Sequence, residues 1–120
     1  MDNITCETLN YVYLIQEREF IKTRESIYRI GTTRKLGKFS RYPKGSILMF
    51  QIYCGGKNIE SKILKIFRQK FTCRRDIGTD YFQGNYSYMI DIIYSIVKQE
   101  HVPQIIGGIY VNHIDRMDID

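Results

Sequence analysis

Three stretches of the chain are short apolar-rich runs, and in two others apolar residues recur with a helical period. "YVYLIQ" (residues 11–16) is aromatic and β-branched with no breaker, which predicts a strand. The charged connection "EREFIKTRE" leads into "SIYRIG", a second alternating run that should end at Gly31. So short a connection cannot make a parallel crossover, so the two strands should form an antiparallel hairpin. "SILMFQIYC" (residues 46–54) predicts a third strand, the best buried of the three. Between strands two and three, Thr32 or Thr33 can cap a helix that carries Arg34, Lys38 and Arg41 on one face. Gly37 weakens that helix and Pro43 stops it.

The helical periods come later. Ile59, Ile63, Ile66, Phe67 and Phe71 share one face of a helix over residues 59–71, with Asn58 as its N-cap. "TCRRDIGTDYFQGN" is punctuated by glycines and predicts a loop. A third helix follows over residues 86–100, with Tyr86, Met89, Ile90, Ile93 and Val97 on one side. In the tail, "IIGGIYV" can add a short edge strand. The expected order is β-β-α-β-α-α. This is an α+β fold with a three-stranded, mainly antiparallel sheet flanked by helices. Residues 1–10 then form an N-terminal extension, 11–98 the domain and 99–120 a C-terminal tail that packs on it.

Composition narrows the class. At 120 residues the chain is long enough for one core and too short for two. No apolar run approaches the ~20 residues of a membrane span. The opening "MDNITCETLN" is polar, so no secretory leader is expected and the protein should stay inside the cell. Cys6, Cys54 and Cys73 are odd in number and widely spaced, which argues against structural zinc and a disulfide framework and for reduced thiols. The net charge of +5 favours a polyanionic partner.

Three features carry candidate chemistry. With Ile63 at zero on a helical wheel, Glu60 falls at roughly 60°, between Phe67 at roughly 40° and Phe71 at roughly 80°. A carboxylate on that arc is costly unless something pairs with it. It is either a first-turn acid stabilised by the helix dipole or a functional group. The cations Arg34, Lys35, Lys38, Arg41 and Lys44 follow the break at Gly31. They form either a solvated face or an anion site at a helix N-terminus, where Gly31 would leave the backbone open to a phosphate. Tyr13 stands mid-strand on the same face as Tyr11 and Ile15. A phenol ordinarily ionises far above neutral pH, so it acts as a base only beside a cation, which Arg29 on the next strand can supply.

In order and spacing, "YVYLI", "YRIGTT", "KFSRYPKGS", "NIESKILKIFRQKF" and "GTDYF" together resemble the GIY-YIG nuclease superfamily, closest to the small branch of large DNA viruses and phages. The resemblance spans residues 11–97. It implies hydrolysis of DNA phosphodiester bonds with Mg2+ or Mn2+ as cofactor. Tyr13 would activate the attacking water, Glu60 would bind the metal, and Lys38 or Arg41 would steady charge on the phosphate. Arg34, Lys35 and Lys44 would contact the nucleic acid. One departure stands out: Arg29 occupies the place of the second-motif tyrosine, while Tyr28 lies one residue early and faces the other way. Arginine cannot accept a proton, so there it could only bias Tyr13 or hold phosphate. "GTDYF" places Asp80 where relatives tend to carry Glu, and should pack around Tyr81 and Phe82. The literal "GIY" at residues 108–110 comes in the wrong order and is coincidence.

Two other classes compete with a nuclease. One is a nucleic-acid-binding module on the same scaffold with weak or lost catalysis. The other is a small viral interaction protein with no nucleic-acid role, docking a partner on the tyrosine-rich late region. For a viral protein the compartment would be the host cytoplasm or nucleus. With no recognition module visible in the sequence, such a domain would be weakly selective or depend on a partner protein for specificity.

Overall fold

The computed structural model describes residues 10–34, 42–55, 58–100, 102, 104 and 109–112. Its elements in chain order are β1 (Tyr11–Gln16), α1 (Arg18–Thr23), β2 (Ile27–Thr33), β3 (Ile47–Tyr53), α2 (Ile59–Lys70), β4 (Thr72–Cys73), β5 (Tyr81–Gln83), α3 (Tyr86–Gln99) and β6 (Ile109–Val111). The fold is α+β, as expected. The sheet, however, has six strands and not three, in the order β4-β5-β2-β1-β3-β6, with every pairing antiparallel.

The extra strands lie where the sequence is least periodic. β4 and β5 are only two and three residues long, too short for alternation to be read, and they fall in the stretch expected to be a loop. β6 is the edge strand expected from the tail and pairs with β3. The charged connection after β1 also contains a helix, α1, whose one buried side chain is Phe20. A six-residue helix with a single apolar anchor has too little periodicity to show in the sequence.

β1 sits between β2 and β3, and its two faces are both covered. Val12 and Leu14 point into the main core, with Ile30, Phe50 and Ile52 from the neighbouring strands. α2 covers that core with Ile59, Ile63 and Phe67, and α3 with Met89, Ile93, Ile96 and Val97. Asn85 caps α3 by accepting from the Tyr88 N–H at 3.1 Å. Asn58 precedes α2 but does not cap it; its side chain instead accepts from the Ser61 hydroxyl. A bulge in the β1–β3 pairing sets Leu14 opposite Phe50 and Ile15 opposite Leu48. The extra residue, Met49, thereby joins Phe50 in the main core while Leu48 packs on the other side. None of the described helices is long and apolar enough to cross a membrane.

β2 does not end at Gly31. It runs on to Thr33, with Gly31 opposite Tyr13 and Thr32 opposite Val12. Thr32 and Thr33 are therefore strand residues and not helix caps. The remainder of the expected basic helix, with Lys35, Lys38 and Arg41, lies outside the described residues.

Candidate functional site

The second face of the sheet is built by the alternation that builds the core. Residues directly opposite each other in an antiparallel pair point to the same side. Tyr13 faces Gly31, Ile15 faces Arg29, and Arg29 faces Tyr81. All five therefore share the side away from α2 and α3. There Tyr13, Ile15 and Tyr42 form a small buried cluster with Leu48 against it.

Gly31 is explained by this packing. A Cβ at Gly31 would lie 2.3 Å from the Tyr13 hydroxyl oxygen and 2.5 Å from the ring carbon that bears it. The glycine makes room for the Tyr13 ring, which crosses over it. This replaces the sequence-based expectation that Gly31 opens the backbone to a phosphate.

Tyr13 is 1% exposed and Tyr42 8%. Their hydroxyl oxygens are 2.6 Å apart, a strong hydrogen bond in which either can donate. The rings meet edge to face. Tyr42 lies between Arg41 and Pro43, where the sequence predicts the exit of a basic helix and carries no sign of this contact. Beside it opens a groove of about 430 Å³ whose walls include Ile15, Tyr42, Pro43, Lys44, Ser46 and Leu48.

Arg29 is enclosed. Its Nε donates to Asp80 at 2.9 Å, and its Nη1 lies 3.6 Å from a Glu17 carboxylate oxygen. The guanidinium carbon sits 5.6 Å from the Tyr42 ring centre and 5.3 Å from that of Tyr81. Burial works against the charge, but the Asp80 hydrogen bond and the nearby Tyr42, Asp80 and Tyr81 outweigh it and raise the pKa. The Tyr81 hydroxyl donates to Glu17 at 2.7 Å. Burial and this bond push the Tyr81 phenol up to about 12, against the opposing pull of Arg29, so it stays protonated at neutral pH. Tyr81 and Phe82 do pack as expected, Tyr81 on Phe20 and Phe82 in the main core. Asp80 has a further task, holding Arg29. Arg29 itself signals these partners: a cation amid an apolar strand needs carboxylates.

Glu60 opens α2, where the wheel places it. Among the described residues no hydrogen bond or ion pair engages its carboxylate. Burial raises its pKa, the negative charge of Asp80 raises it further, and Arg29 partly offsets both. Glu60 in turn helps burial hold the Cys54 thiol up at about 11. Cys54 and Cys73 are free thiols.

The structure thus gathers Tyr13 and Arg29 on one face and brings Glu60 within electrostatic reach of Arg29 and Asp80. Tyr28 faces the main core, its ring tilted against that of Tyr86 with centres 5.6 Å apart. Arg34 is exposed just past β2, and Lys44 is exposed on the groove wall. Among the described residues no three His, Cys, Asp or Glu side chains form a group that could hold a metal. A lone carboxylate does not suit zinc or a closed protein cage. It does suit Mg2+, which keeps several waters and takes one or two carboxylates together with substrate phosphate oxygens. No family model, no curated protein and no solved structure matches the chain.

Proposed function

We propose that the chain is a metal-dependent endonuclease-like domain of the GIY-YIG type, hydrolysing DNA phosphodiester bonds. The observation that carries this reading is Glu60. Its carboxylate is partly desolvated and lies in the field of a second acid, Asp80. Neither serves the apolar core, and both costs fall when a divalent cation binds. Such a cation, bound at Glu60, would supply Lewis acidity towards the phosphodiester.

The chain's own residues divide the remaining work. When Tyr13 donates to Tyr42, the Tyr13 oxygen keeps lone pairs that can accept a hydrogen bond from water. Tyr42, whose hydroxyl meets that of Tyr13, stands beside the groove. Lys44 on the groove wall and Arg34 past β2 offer charge to the nucleic-acid backbone. Arg29, with Asp80 and Glu17 against it, has little net charge left to give a phosphate.

The same features favour a second reading, a nucleic-acid-binding module with weak or lost catalysis: Tyr13 is buried and Arg29 is neutralised. A nicking assay on supercoiled plasmid separates the two. Under the first reading the protein nicks with Mg2+ or Mn2+, EDTA stops it, and Glu60→Gln abolishes it. Under the second, neither protein nicks but both bind DNA, with affinity falling steeply with salt. Five phosphate contacts would give a log–log slope of about −4.5. A flat salt response together with no nicking would overturn both readings.

A further inference from the structure

Arg29 stands where the nuclease resemblance asks for a tyrosine, and a tyrosine from elsewhere, Tyr42, bonds to Tyr13. The two facts are connected through the guanidinium. Four groups from different parts of the chain converge on it: Asp80 before β5, Glu17 before α1, Tyr81 from β5 and Tyr42 before β3. Tyr81 is held by Glu17, and the Asp80 carbonyl accepts from the Ile30 N–H in β2. Tyr42 lies outside the strands and helices; its ring is buried in the cluster with Tyr13 and Ile15, and the Arg29 guanidinium carbon sits 5.6 Å from its centre.

We infer that Arg29 is a positioning residue: held by Asp80 and Glu17, its guanidinium fixes the Tyr42 ring so that the Tyr42 hydroxyl meets that of Tyr13. This rests on the reading of the tyrosine pair given above. It assigns Arg29 neither phosphate binding nor direct action on Tyr13. The planar guanidinium matters as well as its charge, since it covers two rings while bonding in its own plane.

The test compares the wild type with Arg29→Gln, Arg29→Lys and Asp80→Asn by proton NMR and by nicking. A 2.6 Å hydroxyl pair buried in the protein should give a slowly exchanging, downfield hydroxyl proton. Its loss in Tyr42→Phe and in Tyr13→Phe assigns it. Arg29→Gln should lose this resonance and lower the nicking turnover roughly a hundredfold, the scale for misplacing a reacting group by about 1 Å. The KM for DNA and the salt slope should stay unchanged. Arg29→Lys should recover part of both signals. Should Arg29→Gln fail to fold, Asp80→Asn removes one anchor but keeps the arginine, and should broaden or shift the same resonance. A hydroxyl proton unchanged in Arg29→Gln and Asp80→Asn, with weakened DNA binding and a shallower salt slope, would overturn the inference and make Arg29 a phosphate contact. Absence of nicking by the wild type would instead overturn the nuclease reading, while the NMR comparison would still decide the role of Arg29.

Discussion

The two faces of one sheet are held together in different ways. Beneath α2 and α3, strand and helix side chains are apolar, and contacts such as Phe67 on Phe82, with ring centres 5.3 Å apart, are generic packing. On the opposite face the same strands present Tyr13, Arg29 and Tyr81, whose hydrogen bonds and ion pairs depend on specific atoms. The first face tolerates exchange of one apolar residue for another of similar volume. The second tolerates almost none, because a ring, a missing Cβ and an ion pair are interlocked. An apolar surface would fill this face more cheaply, which is why its polar residues point to function.

The largest effect should come from the generic face. Phe67→Ala removes a fully buried ring that touches Phe71 and Phe82, and should cost about 3–5 kcal/mol in chemical denaturation. Metal-dependent nicking per folded molecule should change little. A selective loss of nicking with stability intact would break the division between the faces.

Gly31→Ala comes next. The new methyl group would meet the Tyr13 hydroxyl at 2.3 Å and must displace the ring. A loss of about 1–3 kcal/mol is expected, the usual cost of overpacking. The Tyr13–Tyr42 hydrogen bond should be lost with it. The double variant Gly31→Ala with Tyr13→Leu should recover part of the stability, since the clashing ring is gone. Equal melting temperatures for the wild type and Gly31→Ala would show that the ring over Gly31 is free to move.

Legibility in the sequence followed the same division. α2, α3 and the three long strands were readable because their apolar faces repeat over many residues. Glu60 was readable as an exception inside such a repeat. The second face offered no period to read. Tyr42 is one tyrosine among ten, placed by a contact 29 residues away in sequence. Asp80 and Glu17 reach Arg29 only after β5 and α1 have folded beside β2. Gly31 drew attention for the wrong reason: a glycine at a strand position signals close approach, but not by what. Here it is the chain's own tyrosine.

Tyr42→Phe keeps the ring over Arg29 and removes only the hydroxyl. Loss of one buried hydrogen bond should cost about 1 kcal/mol. Nicking should fall by more than this small change in stability would produce. Full activity in Tyr42→Phe would leave Tyr42 as a packing residue and return the chemistry to Tyr13 alone.

The smallest stability effect, and the one with an unusual sign, belongs to Glu60→Gln. The carboxyl of Glu60 has a raised pKa in the folded protein because of burial first and Asp80 second. The folded state therefore holds this proton more tightly than the unfolded chain does. The resulting stabilisation is present below the ordinary glutamate range and is lost as pH rises through the folded value. A paired carboxylate would behave in the opposite way. Glu60→Gln removes the titration, so the variant should gain stability relative to the wild type as pH is raised from acid to neutral. Thermal melts of both proteins across that range, in EDTA, measure the difference. Adding Mg2+ or Mn2+ at neutral pH should then reverse the order. At ten times its Kd, a metal bound only by the folded wild type stabilises it by about 1.4 kcal/mol, while the variant gains nothing. If the metal raised both melting curves equally, Glu60 would be no ligand. If the two curves stayed parallel across pH, its carboxylate would not be strained at all, and the case for a cation site there would fall with it.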